Sequence, residues 1–127
     1  MVVGTLIGYS FDRDEAGRPM LRRDLAQSGA ANEGGAKVAH IRSQIGQSPL
    51  LAVGNSGGDR EMLEWAQAHP RGGLAVLIEH DDAAREFAYQ STAATFEEPE
   101  PIVAVGERLG WVIVRISHDW ETVFATP

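Results

Sequence analysis

The most constraining feature of this chain is an apolar segment that runs into a glycine-rich turn and then into a helical pattern. The apolar segment is Leu50–Val53, and the turn that follows, residues 54–59, reads GNSGGD. Glycine permits a tight turn, and an acid in the first turn of a helix complements the helix dipole. The sequence therefore predicts a buried strand that ends in a polar turn and opens a helix, which is the repeating unit of α/β folds.

The same alternation of strands and helices continues on both sides of this unit. Apolar runs predict strands, and apolar residues at helical spacing predict helices. The predicted strands are 2–11, 20–25, 50–53, 73–78 and 111–116, and the predicted helices are 36–45, 59–68, 81–89, 102–109 and a last turn at 118–124. The first two strands flank a polar turn and form a hairpin. We therefore predict an α/β fold: a Rossmann-like three-layer sandwich with a mostly parallel sheet, plus an N-terminal β-hairpin.

Length and composition limit the possible functions. The chain has 127 residues, which predicts a single domain with hairpin and loop at 1–30 and αβ units at 36–127. The formal net charge is −7, which argues against nucleic-acid and anionic-membrane partners. There is no cysteine, so thiol catalysis and disulfides are excluded. Since no signal peptide or membrane span is recognisable, we expect a cytoplasmic protein.

Several stretches of the chain resemble one enzyme superfamily. Lys37 stands at the start of the helix before the glycine-rich turn, and residues 54–63 read GNSGGDREML. With the stretches Glu79–Tyr89 and Gly110–Phe124, they resemble the C-terminal half of haloacid dehalogenase (HAD) superfamily hydrolases, in the phosphoserine-phosphatase-like branch. Most members are Mg²⁺-dependent phosphohydrolases. The resemblance thus implies a partial HAD core and a small phosphorylated substrate.

The resemblance also implies roles for individual residues. Lys37 and Asp59 correspond to catalytic positions, and the phosphate group would contact Lys37, Ser56 and Gly57. Mg²⁺ would be held by Asn55 and Asp59, in keeping with its preference for oxygen ligands. The chain departs from the family in two places: Asn55 is neutral where many members have Asp, and Gly57 replaces an acid found in close relatives.

The nucleophilic aspartate of the family has no convincing counterpart here. Residues 11–14 read FDRD and imitate the family's Asp-x-Asp motif, but the predicted hairpin explains the same stretch. We therefore expect the chain to be inactive alone. Without the strand that carries the nucleophile, the strand at 50–53 would be an open edge, which is a template for pairing with another chain. We expect a homodimer, or pairing with a separate N-terminal half.

Alternative interpretations of the same residues remain open. The chain could be a non-catalytic Rossmann-like binding or assembly module that keeps only the anion pocket. The turn at 54–59 could be a helix N-cap alone, because Asn, Ser and Asp are preferred there. His80 with Asp81 and Asp82 is more typical of a cap than of a metal site. The three tryptophans, Trp65, Trp111 and Trp120, are expected to anchor the core.

Overall fold

The computed structural model describes residues 3–124, which form a mixed α/β fold with a parallel sheet and a separate antiparallel hairpin. The elements in chain order are β1 (Leu6–Arg13), β2 (Pro19–Ser28), α1 (Gly34–Ile45), β3 (Leu51–Gly54), a 3₁₀ turn (Gly57–Asp59), α2 (Arg60–Gln67), β4 (Leu74–Glu79), α3 (Ile102–Leu109), β5 (Val112–Arg115) and α4 (Ile116–Asp119). The predicted α/β class and the N-terminal hairpin are confirmed. Val2, at the start of the predicted first strand, lies outside the described residues.

The sheet has the order β3-β4-β5, with all strands parallel. Residue Ala52 is in register with Ala75, and Leu77 is in register with Ile113. Each crossover between neighbouring strands contains a helix, as parallel pairing requires. β3 pairs only with β4 among the strands of residues 3–124, so the edge predicted at 50–53 is open in this part of the chain.

Helices α2 and α3 cover one face of the sheet and form the core with it. The buried residues that share this cluster are Ala52, Leu63, Ala66, Ala75, Leu77, Ile102, Val105 and Trp111. Three of them, Leu63, Leu77 and Val105, have no appreciable solvent exposure. Each such side chain stabilises the fold by roughly 1.5–3 kcal/mol relative to an exposed one. The core therefore lies on the helix-covered side of the three strands.

The opposite face of the sheet carries apolar side chains that remain half-exposed. Leu51, Val53, Leu74 and Val112 project from it, because side chains alternate along a strand, and they are between 46% and 56% exposed. The nearly continuous apolar run at 73–78 is typical of a strand covered on both faces, but at Leu74 the second face is open. Residues 3–124 build two layers, sheet and helices, with an apolar face left open.

The hairpin packs mainly on itself. β1 and β2 pair antiparallel from Leu6 opposite Ser28 to Arg13 opposite Pro19, with an irregularity between Ile7 and Tyr9. Asp14 closes the turn, because its carboxylate accepts hydrogen bonds from the N–H groups of Ala16 and Arg18. The predicted turn is confirmed, and both strands extend further toward it than the sequence predicts.

The predicted helix at 81–89 is wrong. Asp82 does cap a turn, since its Oδ1 accepts the N–H groups of Ala84 and Arg85 at 3.0 Å. The turn does not continue because the Arg85 guanidinium donates to main-chain carbonyls of a distant segment, at Ile116, Trp120 and Glu121. Tyr89 then forms an isolated antiparallel bridge with His80. A tertiary contact thus overrides a local capping signal.

The end of the chain also differs from the prediction. The last helical turn is Ile116–Asp119, earlier than the predicted 118–124. Among the tryptophans, Trp111 is buried as predicted and donates its indole N–H to Gln67 at 3.0 Å. Trp65 is half-buried, and Trp120 is 47% exposed, so its assignment to the core is wrong.

In residues 3–124 the structure contains no helix of the length and apolar character that crossing a membrane requires.

Candidate functional site

The structure brings Lys37 and Asp59 together as a partly buried ion pair. Lys37 is in the first turn of α1, and Asp59 closes the 3₁₀ turn that precedes α2. The Lys37 ammonium contacts Asp59 Oδ1, and the two side chains are only 19% and 11% exposed. Packing of α1 against α2 places them side by side although they are 22 residues apart in sequence. The two residues predicted to be catalytic, Lys37 and Asp59, therefore lie in direct contact.

The second carboxylate oxygen of Asp59 closes the glycine-rich turn. Asp59 Oδ2 accepts the N–H of Asn55 at 3.0 Å, and the N–H and hydroxyl of Ser56 at 3.2 Å each. Gly54 permits this approach, because a Cβ at that position would lie 2.5 Å from the Asp59 Cβ. The carboxylate is thus both the partner of Lys37 and the group that fixes the turn.

The environment of Asp59 favours its charged form. Burial alone would raise the pKa of this carboxyl, but the Lys37 ammonium and the N–H groups of Asn55 and Ser56 together outweigh burial. The pKa of Asp59 therefore lies below its ordinary value. A carboxyl whose pKa is depressed on folding contributes stability above its unfolded pKa, and this stability is lost as the pH falls through the folded pKa.

We accordingly expect an acid-dependent contribution of Asp59 to stability. The difference in unfolding free energy between the wild type and Asp59→Asn should be constant from pH 8 to pH 6 and should shrink below pH 4. Urea unfolding at a series of pH values measures it. Glu15→Gln, an exposed acid on the hairpin turn, is the matched control. A difference that stays the same down to pH 2 would mean that Asp59 is not held ionised by Lys37.

The predicted phosphate contacts at Ser56 and Gly57 are already engaged within the protein. Both donors of Ser56 go to Asp59, and the Gly57 N–H donates to the Ser91 carbonyl at 3.2 Å. The Glu98 carboxylate also lies against Gly57, where a Cβ would be 1.8 Å from it. A phosphate at these N–H groups would have to displace intramolecular bonds and approach a negative charge.

Lys37 lies instead at a groove of about 410 Å³ that follows the open edge of β3. The groove is lined by Asp59, by Ile41 of α1, and by Leu51 and Val53 of β3, among other residues. Because β3 has no second strand partner within residues 3–124, this groove gives access both to the ion pair and to unpaired backbone groups. The site is therefore open on the side where another strand could be added.

The residues implied for Mg²⁺, Asn55 and Asp59, are engaged by other groups of the described residues. The Asn55 side-chain amide faces His80, with its nitrogen 3.5 Å from Nε2, and both Asp59 oxygens are used by Lys37 and the turn. In the part of the chain that the structure describes, no three His, Cys, Asp or Glu side chains converge as a metal centre. Mg²⁺ requires near-octahedral oxygen ligands, commonly with one or two free carboxylates.

Asp12 belongs to the hairpin, as the hairpin interpretation of residues 11–14 requires. It lies on β1 opposite Met20, its carboxylate pairs with Arg22 of β2, and it accepts the Arg13 N–H at 2.8 Å. These contacts give Asp12 a structural role in joining the two strands.

A second group of polar residues at the same end of the sheet was not predicted. His80 follows β4, contacts Glu86 Oε1 through Nδ1 at 2.7 Å, and stacks on Tyr89 with ring centroids 4.6 Å apart. The sequence assigned Glu86 and Tyr89 to a helix, which would have directed them away from His80. The apolar and aromatic residues after Asp82 indicated that this segment packs against the protein. Where Glu86 and Tyr89 lie relative to His80 depends on the long-range contacts of Arg85.

Glu33 holds the long connection between β4 and α3 over this end of the sheet. Its carboxylate accepts the Thr95 hydroxyl at 2.8 Å and the N–H groups of Ala94 and Thr95. The hydrogen bond from the Thr95 hydroxyl is the largest cause that lowers the pKa of Glu33. The connection is thereby fixed to the residue that precedes α1, close in sequence to Lys37.

The chain matches no protein-family model, and its sequence matches no curated protein.

Proposed function

We propose that this chain carries the phosphate-binding half of a HAD-like phosphohydrolase active site. The observation that supports the proposal is the Lys37–Asp59 ion pair, which lies after a parallel strand and beside an open strand edge. The carboxyl ends of parallel strands are where α/β folds bind ligands, and a lysine there can neutralise a phosphoryl group. The resemblance of residues 37 and 54–63 to HAD motifs agrees with this placement.

In the proposed reaction, an aspartate on a strand added beside β3 attacks the phosphorus of a phosphomonoester. The ester P–O bond breaks as the aspartyl P–O bond forms, and the leaving alkoxide takes a proton from an acid of the added half or from water. A water molecule then attacks the aspartyl-phosphate, which gives inorganic phosphate and restores the aspartate. Lys37 would contribute by neutralising phosphoryl oxygens as charge redistributes. Asp59 would hold the Lys37 ammonium toward the groove. The Mg²⁺ ligands would be completed by carboxylates of the added strand together with Asn55.

The open surfaces of the sheet support a partner in this proposal. Within residues 3–124 no strand pairs with the outer edge of β3, and the adjacent sheet face exposes Leu51, Val53, Leu74 and Val112. Another strand and a covering helix would bury these side chains and produce the three-layer sandwich of a complete HAD core. The partner would be a second copy of the chain or a separate N-terminal half. Sedimentation that shows a folded, strictly monomeric species across micromolar concentrations would count against the second-copy arrangement.

Hydrolysis of para-nitrophenyl phosphate tests the catalytic part of the proposal. We expect the purified chain to show no turnover with Mg²⁺ beyond that with chelator, because it lacks the nucleophile. Mg²⁺-dependent turnover that disappears in Asp12→Asn would contradict the assignment of Asp12 to the hairpin. Turnover unaffected by Lys37→Ala would contradict the role of Lys37.

A non-catalytic binding module is the second candidate. It is favoured by the turn itself, because Asp59, Ser56 and Gly57 are all satisfied by hydrogen bonds within the protein. In such a module the ion pair would stabilise the turn, and the groove would bind anions without reaction.

Phosphate binding by Lys37 is common to both candidates and can be measured directly. We expect Lys37→Ala to abolish binding of inorganic phosphate, observed as loss of amide shifts near residues 37 and 55–59 in an NMR titration. Arg71→Ala, which removes an exposed positive charge elsewhere, should leave the titration unchanged. Equal phosphate affinity of the wild type and Lys37→Ala would show that Lys37 does not form an anion pocket, which would contradict both candidate functions.

A further inference from the structure

A cavity of about 370 Å³ lies at the carboxyl ends of β3 and β4, and among the described residues it shares no lining residue with the Lys37 groove. Asn55 follows β3, His80 and Asp81 follow β4, and the amino end of α3 contributes Ile102 and Val103. The segment 88–92 forms the remaining wall. A concave site of this volume at the ends of parallel strands has the size and the location of a small-molecule pocket.

The walls of the cavity are apolar, and its charged residues are acidic. Ile78, Ala88, Tyr89, Ile102 and Val103 supply apolar surface, and the acids that line it are Glu79, Asp81 and Glu98. Among the described residues, no lysine or arginine lines the cavity. An anionic ligand would therefore be repelled, whereas an apolar body that carries a positive group would match both kinds of surface.

Two of the three carboxylates, those of Asp81 and Glu98, have no lysine or arginine partner among the ion pairs of residues 3–124, and the base that acts electrostatically on Asp81 is His118. Glu79 pairs with Arg115 at 2.9 Å. Asp81 instead accepts the N–H and hydroxyl of Ser117, at 2.8 and 2.6 Å, and Glu98 accepts the Ala93 N–H. These neutral donors hold the carboxylates in place without removing their charge. The Ser117 hydroxyl, followed by its N–H, is the main cause that keeps the pKa of Asp81 below its ordinary value.

The ring wall of the cavity is fixed before any ligand enters. His80 and Tyr89 stack with an interplanar angle of 19°, and Glu86 fixes the imidazole through Nδ1. The other Glu86 oxygen, Oε2, is buried and has no hydrogen-bond partner among the described residues. The helix dipole of α3 places about half a positive charge at its amino end, beside the cavity. This is smaller than the combined negative charge of the Asp81 and Glu98 carboxylates.

We propose that this cavity binds a small organic cation, namely an amine with an apolar body, through Asp81 and Glu98. The proposal does not depend on phosphohydrolase activity, because Lys37 and Asp59 do not line the cavity. It assigns a ligand class to a cavity whose described lining residues are distinct from those of the Lys37 groove.

Three matched probes test the charge preference: 2-phenylethylammonium, 2-phenylethanol and phenylacetate share a ring and differ in charge. At pH 8, where an ordinary imidazole is neutral, we expect the ammonium to bind at least about tenfold more tightly than the alcohol, and phenylacetate not to bind. NMR titration of the full chain should show shifts at residues 88–92 and 101–103. Phenylacetate binding as tightly as the ammonium would overturn the proposal, and so would no binding of the ammonium at millimolar concentration.

Variants at the lining carboxylates locate the site. Glu98→Gln and Asp81→Asn each keep an acceptor oxygen, and each should weaken ammonium binding at least about fivefold. Glu15→Gln removes an exposed negative charge from the hairpin turn and should change ammonium binding less than twofold, as should Arg71→Ala, which removes an exposed positive charge. Should either acid variant fail to fold by circular dichroism, raising the salt concentration with the wild-type chain must weaken ammonium binding and leave alcohol binding unchanged. Unchanged ammonium affinity in folded Glu98→Gln and Asp81→Asn would overturn the proposal.

Discussion

Lys37→Met should lower the unfolding free energy by about 2–3 kcal/mol, because it leaves the Asp59 charge partly buried without its ammonium partner. Methionine retains most of the aliphatic chain of lysine, so lost packing contributes little. Asp59→Asn should lower the unfolding free energy by a similar amount. It removes the carboxylate that pairs with Lys37, and it weakens the hydrogen bonds from Asn55 and Ser56. Urea unfolding followed by circular dichroism measures both variants.

The double variant Lys37→Met/Asp59→Asn distinguishes an ion pair from two independent contributions. We expect it to be about 1–2 kcal/mol more stable than the sum of the single effects, because no unpaired charge remains. Arg42→Met on the same helix removes a cation that contacts the Gly46 carbonyl rather than an acid, and should show no coupling with Asp59→Asn. Additive effects of Lys37 and Asp59 would mean that the pair contributes nothing beyond each residue alone.

Gly73→Ala should destabilise the chain by about 3 kcal/mol. A Cβ at Gly73 would lie 1.7 Å from the Ala66 carbonyl oxygen and 3.0 Å from the His69 Cβ. The first of these is a backbone atom at the end of α2, so the clash cannot be relieved by rotating a side chain, and the helix and β4 must move apart. The midpoint of urea unfolding should fall accordingly.

Gly35→Ala is the matched control for that substitution. Gly35 is in the first turn of α1, and a Cβ there would have no neighbour within 4 Å. Alanine should stabilise the helix by about 0.5–1 kcal/mol through its better helix propensity. A Gly73→Ala chain as stable as Gly35→Ala would show that α2 and β4 approach less closely than described.

The units that the sequence predicts well are those whose signal is local. The strand–turn–helix unit around residues 50–68, the helix at 102–109 and the hairpin turn at Asp14 follow from apolar periodicity and capping chemistry, and the structure contains them. The helix predicted at 81–89 depends on the same chemistry at Asp82, yet it is absent. Arg85 binds carbonyls more than 30 residues away, and no local pattern encodes that contact.

The candidate site was predictable only in part for the same reason. The resemblance to HAD motifs implied roles for Lys37 and Asp59, and helix packing brings the two residues together. The orientation of Asn55 toward His80 and the engagement of the Gly57 N–H by Ser91 depend on the connection between β4 and α3. That connection is long and irregular, so its path is set by tertiary contacts such as those of Glu33. The cavity with its acidic lining could not be inferred before that path was known.

The self-contained packing of the hairpin has a consequence for how the chain opens. A two-stranded hairpin is marginally stable in water, and β1 and β2 expose Tyr9, Phe11 and Leu21 rather than burying them against the sheet. Its amide protons should exchange with solvent long before those of β4, in a cooperative step of its own. Limited proteolysis would then cut first within residues 6–28 and leave the strands and helices from Gly34 onward intact. The α/β part of the chain would thus remain folded after the hairpin has been cleaved.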